Sequence, residues 1–136
     1  VAVVLGVGLW RAEGDIPLAT ILEASLLIWC GALSLVPLHL FVAARFGVFA
    51  GLASGFVAML AGVLAADRSY WLFVPWSWPI RMMAPVVGVH PNGVALPPGH
   101  PLLDASVVPA GIAASLVFLA ASALLTGLWF AKREVR

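Results

Sequence analysis

The sequence predicts an all-α, polytopic transmembrane helical bundle with three complete spans and the end of a fourth, and three observations support this prediction. Of the 136 residues, 63% are apolar and only 10% are charged, whereas a soluble domain carries about 25% charged and about 45–50% apolar residues. The mean hydropathy is +1.10. Three apolar stretches are also long enough to cross a bilayer, which takes roughly 20 residues in a helix.

The composition excludes several classes of protein. A chain this apolar is neither a soluble globular enzyme nor a disordered tail. Seven Lys and Arg residues against six Asp and Glu residues leave no basic stripe for nucleic acid. The single cysteine, Cys30, excludes a disulfide framework or a cysteine-based zinc site within the chain and is interpreted as a packing residue. The sequence has no GxxxxGK[ST] loop, so this chain does not hydrolyse ATP by that route.

The complete spans are predicted at about residues 18–44, 46–66 and 107–131, within one transmembrane domain covering residues 1–136. Val1–Trp10 is apolar but only ten residues long. Because it has neither an initiator Met nor a basic n-region, we interpret it as the end of a preceding span and not as a signal peptide. The chain is therefore expected to be the C-terminal portion of a larger permease-sized subunit.

Basic residues near the span ends predict the orientation in the membrane. The two sets are Arg45, Lys132, Arg133 and Arg136 on one side, and Arg11, Arg68 and Arg81 on the other. The first set is concentrated in two very short segments, which predicts that this side is cytoplasmic. The C-terminus then lies inside the cell, and residues 67–106 form a long segment on the outer side.

Small residues and a proline predict how the spans pack. Gly47, Gly51 and Gly55 recur every four residues and predict a flat helix face, because helices in lipid associate through close backbone approach. The alternative is that glycine is simply abundant in this chain. Pro37 lies inside the first span and predicts a kink, with neighbouring helices or Ser34 satisfying the freed carbonyl.

Two titratable residues lie within the first predicted span. His39 is near the inner end and is interpreted as a helix-packed or interfacial histidine, the alternative being a proton relay. Glu23 is near the outer end, close enough to the surface to reach water. Carboxylates inside membranes are often functional, so a transport role for Glu23 remains the alternative.

The outer segment, residues 67–106, has an unusual composition. Seven of the ten prolines lie between Pro75 and Pro101, and this density forbids a regular spanning helix. Half of the tryptophans of the chain lie here as well: Trp71, Trp76 and Trp78. Tryptophan prefers the headgroup level of a bilayer. The segment is therefore predicted to form a broken pair of short helices lying in, or dipping into, the outer leaflet.

Polar residues in the same segment are candidates for contacts and for ligation. Arg81 is expected to face lipid headgroups or to pair with Asp67 or Asp104. The run from His90 contains an Asn-Gly pair, which predicts a turn because it readily supplies positive φ. His90 and His100 beside Asp104 are an alternative set of metal ligands, although no tight spacing supports that interpretation.

The outer segment resembles that of permease subunits in lantibiotic-immunity ABC transporters, which belong to the type-2 ABC exporter class. The residues that carry the resemblance are Trp71, Pro75–Arg81, Pro85, Gly88–Gly93 and Leu96, with Pro37–Phe41, Trp129 and Lys132–Arg133 also similar. Membership implies a six-span subunit of which this chain supplies the end of the third span and the last three. It also implies a second permease subunit and a separate ATP-binding subunit that holds ATP and Mg²⁺, while this chain binds no cofactor.

The resemblance further implies that the protein removes antimicrobial peptides from the bacterial plasma membrane. Because such peptides partition into the outer leaflet, Trp71, Trp76 and Trp78 are candidates for stacking on them. The other candidate substrate contacts are Arg81, His90 and Asn92. Anchoring of the segment in lipid is the favoured role of the tryptophans, and it is compatible with direct contact to the substrate. Other functions left open are a type-2 permease for a drug or lipid-like cargo, a membrane enzyme with a histidine-bound metal, and a non-transporting scaffold. The coupling helix that the family places between its second and third spans is absent from this chain.

Overall fold

The computed structural model describes residues 17–134, and this part of the chain is mostly helical. Its only extended pairing is an isolated antiparallel bridge between Val89 and Ala95. The α-helices of the described part are α1 Leu18–Leu33, α2 Val36–Phe46, α3 Val48–Ala65, α4 Trp78–Val87 and α5 Val107–Glu134. Short 3-10 turns lie at Trp71–Phe73, Pro75–Ser77 and Pro101–Leu103. The predicted end of a fourth span, Val1–Trp10, lies outside the described residues.

Three helical stretches are long and apolar enough to cross a membrane: Leu18–Phe46, Val48–Ala65 and Val107–Arg133. They correspond to the three complete spans predicted from the sequence, and we call them the first, second and third spans. The first span consists of α1 and α2, the second is α3, and the third is α5. The remaining helix, α4, lies in the segment between the second and third spans.

The first span is interrupted between α1 and α2, close to the predicted kink. Because Pro37 has no backbone N–H, the carbonyl of Leu33 loses its usual helical donor. Ser34 Oγ does not donate to that carbonyl; it donates to the carbonyl oxygen of Gly31 at 2.6 Å. Thr126 Oγ1 of α5 donates to the carbonyl oxygen of Pro37 at 3.2 Å. A neighbouring helix therefore supplies one of the polar contacts at the kink.

A tight turn joins α2 to α3. Gly47 occupies this turn with φ of +95°, a backbone conformation that glycine adopts without strain. It therefore lies outside the helix face predicted from the four-residue repeat, and the close approach begins at Gly51. A Cβ built on Gly51 lies 3.0 Å from the Cβ of Ala43, and one built on Gly55 lies 3.6 Å from the His39 ring. Both glycines allow α2 and α3 to pack closely.

The three spans differ in length, and α4 packs along the two longer ones. At about 1.5 Å per residue the first span, of 29 residues, is about 43 Å long, and α3, of 18 residues, is about 27 Å long. The third span has 27 residues. At the end away from the Gly47 turn, the Pro75–Ser77 turn packs on α3 directly against Gly62, and α4 packs against both α1 and α5.

The apolar core lies between α1, α4 and α5. It is built around Leu27, Trp78 and Met82, with Phe118 of α5 packed against them. The Trp78 and Phe118 rings meet edge to face, with centroids 5.6 Å apart. The segment after the second span is thus part of the packed interior.

Candidate functional site

The three tryptophans of the outer segment occupy different environments. Trp78 is only 4% exposed, and its indole N–H donates to the carbonyl oxygen of Leu72 at 3.0 Å. Trp76 is half-buried, and its indole N–H donates to His39 Nε2 at 3.1 Å. Trp71 is half-buried and packs against the core. Trp78 is therefore a core residue, and Trp76 connects the segment to the first span.

The side chain of Arg81 is buried between the outer segment and its neighbours. It is 7% exposed, and its Nη2 donates to the carbonyl oxygen of Pro101 at 2.8 Å. Its Nε and Nη1 are buried without a hydrogen-bond partner in the described part of the chain, and its guanidinium lies 5.9 Å from the centroid of the Trp71 ring. Burial lowers the pKa of Arg81, and the charges of Asp104 and Asp67 partly oppose that effect.

Within the described part of the chain, neither Asp67 nor Asp104 forms a salt bridge with Arg81. Asp67 Oδ1 instead lies 3.4 Å from Nε of the exposed Arg68. Asp104 Oδ1 accepts a hydrogen bond from the backbone N–H of Ser106 at 2.9 Å. Hydrogen bonds from Ser106, and to a smaller extent the charge of Arg81, hold the pKa of Asp104 below its ordinary value of 3.8. The charged Asp104 therefore stabilises the fold at neutral pH, and this contribution disappears as the pH falls through the lowered pKa.

The predicted turn after His90 is present, and its polar groups bond within it. Gly93 has φ of +88°, and its N–H donates to the carbonyl oxygen of His90 at 2.8 Å. Asn92 Oδ1 accepts from the N–H of Val94 at 3.0 Å, and His90 Nδ1 accepts from the N–H of Asn92 at 3.4 Å. Two candidate contact residues, His90 and Asn92, thus also stabilise the turn.

His90 and His100 lie close together, with ring centroids 6.4 Å apart. His100 Nδ1 accepts from the N–H of Leu102 at 3.1 Å, so both histidines use Nδ1 as an acceptor. A neutral imidazole has one acceptor nitrogen, so the proton of each ring lies on Nε2. Ligation of a metal through Nε2 therefore requires that each ring gives up a backbone hydrogen bond. In residues 17–134 no group of three or more His, Cys, Asp or Glu residues is arranged to hold a metal ion.

Two aromatic residues that sequence reasoning did not single out, Tyr70 and Phe73, are the most exposed aromatic residues of the segment. Phe73 is 85% exposed and Tyr70 is 54% exposed. Tyr70 directly precedes the Trp71–Phe73 turn and Phe73 ends it, a few residues after the end of α3. The sequence carried no signal that separates them from Trp76 and Trp78, because all four belong to one aromatic run and only the packing decides which of them face outwards.

No family model matches the chain, and no curated protein or solved structure is significantly similar to it.

Proposed function

We propose that this chain is part of a membrane-spanning permease subunit of an ATP-driven exporter that removes antimicrobial peptides from the bacterial plasma membrane. The proposal includes a separate ATP-binding subunit, which holds ATP and Mg²⁺, a second permease subunit, and a cytoplasmic C-terminus. It is supported by the three apolar spans and by the resemblance of the outer segment to lantibiotic-immunity permeases.

The observation that carries the proposal is the exposed aromatic pair formed by Tyr70 and Phe73. An α3 helix of about 27 Å is close to the roughly 30 Å of the hydrocarbon core, so the residues just after Ala65 lie at a membrane boundary. Exposed aromatic rings at that level suit a cationic, amphipathic peptide, because they offer both apolar area and π faces. Asp67, next to this pair, adds no net negative charge, because its Oδ1 lies 3.4 Å from Nε of the exposed Arg68.

The capture surface that we propose therefore consists of Tyr70, Phe73 and the half-buried Trp71. Trp78 takes no direct part in it, because its side chain fills the core and its N–H is bonded to Leu72. Arg81 acts by fixing the segment through the carbonyl of Pro101.

The experiment that tests this function measures peptide resistance in cells that produce the complete subunit together with its ATPase. Replacing Tyr70→Ala and Phe73→Ala together is expected to lower the inhibitory concentration of a cationic lantibiotic by several-fold. Phe49→Ala is the control, because Phe49 is also highly exposed, at 89%, but lies on the second span near the end away from the outer segment. Equal resistance in the double variant and the control, at equal amounts in the membrane, excludes the capture role.

A purification experiment separates the exporter from a non-transporting scaffold. The tagged subunit is expected to co-purify with a protein that contains a GxxxxGK[ST] loop, and the purified complex is expected to hydrolyse ATP faster when the lantibiotic is added. A complex without peptide-stimulated hydrolysis favours the scaffold or an exporter of another cargo. A histidine-metal enzyme is disfavoured by the backbone hydrogen bonds that occupy His90 and His100.

A further inference from the structure

The hydrogen bond between His39 and Trp76 restricts the tautomer of the His39 ring. Its Nε2 accepts the indole N–H of Trp76 at 3.1 Å, so the lone pair of the ring lies on Nε2. A neutral imidazole has one acceptor nitrogen and one N–H, and an imidazolium has no acceptor at all. The bond to Trp76 therefore assigns the neutral form with an Nδ1–H donor.

This donor has no acceptor in the described part of the chain. On the neighbouring span, a Cβ built on Gly55 lies 3.6 Å from His39 Cε1 and 3.8 Å from Nδ1. Because Gly55 has no side chain, the Cε1–Nδ1 edge of the ring stays uncovered. An N–H group without a partner in an apolar environment costs free energy, and a ligand that supplies an acceptor removes that cost.

Apolar grooves meet at this edge of the ring. One, of about 750 Å³, is bordered by residues such as Leu35 and Ile80, and another, of about 550 Å³, by residues such as Phe56. His39, Gly55 and Met59 line both. The remaining side-chain N–H among the lining residues belongs to Trp76 and is already bonded to His39. The Nδ1–H of His39 is therefore the single free side-chain donor of an otherwise apolar surface.

The depth of His39 restricts the kind of molecule that can reach it. His39 precedes Gly47 by eight residues, which is about 12 Å along a helix, in a hydrocarbon layer about 30 Å thick. With the Gly47 turn at the inner edge of that layer, the ring lies about 12 Å deep, which is deeper than the interfacial position considered from the sequence. Phospholipid ester groups lie at the edges of the hydrocarbon layer, so they do not reach His39 while the headgroup stays in water. A suitable ligand carries its acceptor inside an apolar body.

We propose that His39 and the two grooves form a binding site for a lipophilic molecule with a carbonyl oxygen within an otherwise apolar body. The carbonyl oxygen accepts the Nδ1–H of His39, and the apolar arms on either side of it lie in the two grooves. Trp76 fixes the ring and its tautomer, acting as a positioning residue. This site is separate from the exposed aromatic pair of the outer segment and does not depend on peptide export.

The test uses the full chain in nanodiscs of dimyristoyl phosphatidylcholine, with ¹⁵N-labelled histidine. The probes are 2-tridecanone and n-tridecane, which have the same length and differ in the carbonyl oxygen. The ¹⁵N signals of His39 are assigned by their loss in His39→Met. We expect a proton on Nδ1, a saturable shift with the ketone, and displacement by the alkane only at about two- to tenfold higher mole fraction, as the loss of one hydrogen bond predicts.

Two glycine variants complete the experiment. Gly55→Ala places a methyl group in ordinary contact with the His39 ring and over its Nδ1 edge, so it is expected to hinder the hydrogen bond to the ketone and to weaken ketone binding by about two- to tenfold. Gly127→Ala is the matched control, because a Cβ there meets nothing within 4 Å. This variant is expected to bind the ketone as tightly as the unchanged chain. Circular dichroism verifies equal helix content in both variants.

Three results overturn the proposal. The first is a proton on Nε2 of His39 in the unliganded protein. The second is equal displacement by alkane and ketone, which reduces the site to apolar packing. The third is the absence of saturation with either probe, which is the result expected if a second copy of the chain or a partner helix covers the grooves.

Discussion

At the scale of single residues, hydrogen bonds distinguish the tryptophan that connects the outer segment to the first span from the one that fills the core. Trp76 and Trp78 are two residues apart, yet one N–H bonds to His39 of the first span and the other to Leu72 of its own segment. The Trp76 indole donates to the first span and so holds the segment in place, whereas the Trp78 indole donates within the segment and fills the core. Residue type alone does not distinguish these two roles.

The burial of Trp78 gives the prediction at this scale. Trp78→Ala removes a large aromatic side chain from between Leu27, Met82 and Phe118, and is expected to lower the free energy of unfolding by about 3–5 kcal/mol. The measurement is unfolding of the detergent-solubilised chain by increasing fractions of sodium dodecyl sulfate. Phe73→Ala, at an exposed position, serves as control and is expected to change stability by less than about 0.5 kcal/mol. Comparable losses in the two variants contradict the assignment of Trp78 to the core.

At the scale of helices, α4 packs closely against glycines on two spans. A Cβ built on Gly31 of α1 lies 2.9 Å from the backbone N of Pro79, and one built on Gly111 of α5 lies 2.6 Å from Met82 Cγ. Helices in lipid approach closely where small residues remove side-chain bulk. The repeat that the sequence emphasised, on α3, thus accounts for the packing of α2 and α3 but not for that of α4.

This close approach predicts the effect of one added methyl group. Gly31→Ala places its Cβ against the backbone of Pro79, which cannot rotate away, and is expected to lower the free energy of unfolding by about 1–3 kcal/mol. Gly127→Ala is the control, since its Cβ meets nothing and alanine favours a helix by about 1 kcal/mol over glycine. The same detergent titration measures both variants. A stabilised Gly31→Ala variant shows that α4 does not approach α1 as described.

At the scale of the whole molecule, the unequal spans define two different ends. One end carries the Gly47 turn, with Arg45 before it, and Trp129 of the third span packs there against Phe41 and under Arg133, whose guanidinium lies 4.2 Å from the ring. The other end carries the outer segment, held between α1 and α5. Basic and aromatic residues at the first end are typical of a cytoplasmic membrane boundary.

Cysteine labelling tests the predicted orientation. In a Cys30→Ser background the chain has no other cysteine, so Phe73→Cys and Lys132→Cys each supply a single thiol at an exposed position. A membrane-impermeant maleimide added to intact cells is expected to label Phe73→Cys and not Lys132→Cys. Permeabilised cells provide the control, in which both variants react. The reverse pattern in intact cells shows that the outer segment faces the cytoplasm and removes the proposed capture of peptides from outside.

The three spans, the kink near Pro37 and the turn at Gly93 all follow from the amino-acid sequence without any knowledge of tertiary contacts. Each depends on a local property: apolar length, a missing backbone donor, or tolerance of positive φ. The same local reasoning placed Gly47 on a helix face, because a four-residue repeat does not reveal where a helix begins.

Only the tertiary structure decided the roles of the outer segment. Which aromatic rings are buried, where the Arg81 guanidinium points and which atom bonds His39 all depend on contacts between residues far apart in the chain. In an apolar sequence most side chains are equally able to face lipid or protein, so hydropathy carries no information on that choice. Close packing at a few glycines and a few hydrogen bonds between segments decide which side chains face protein.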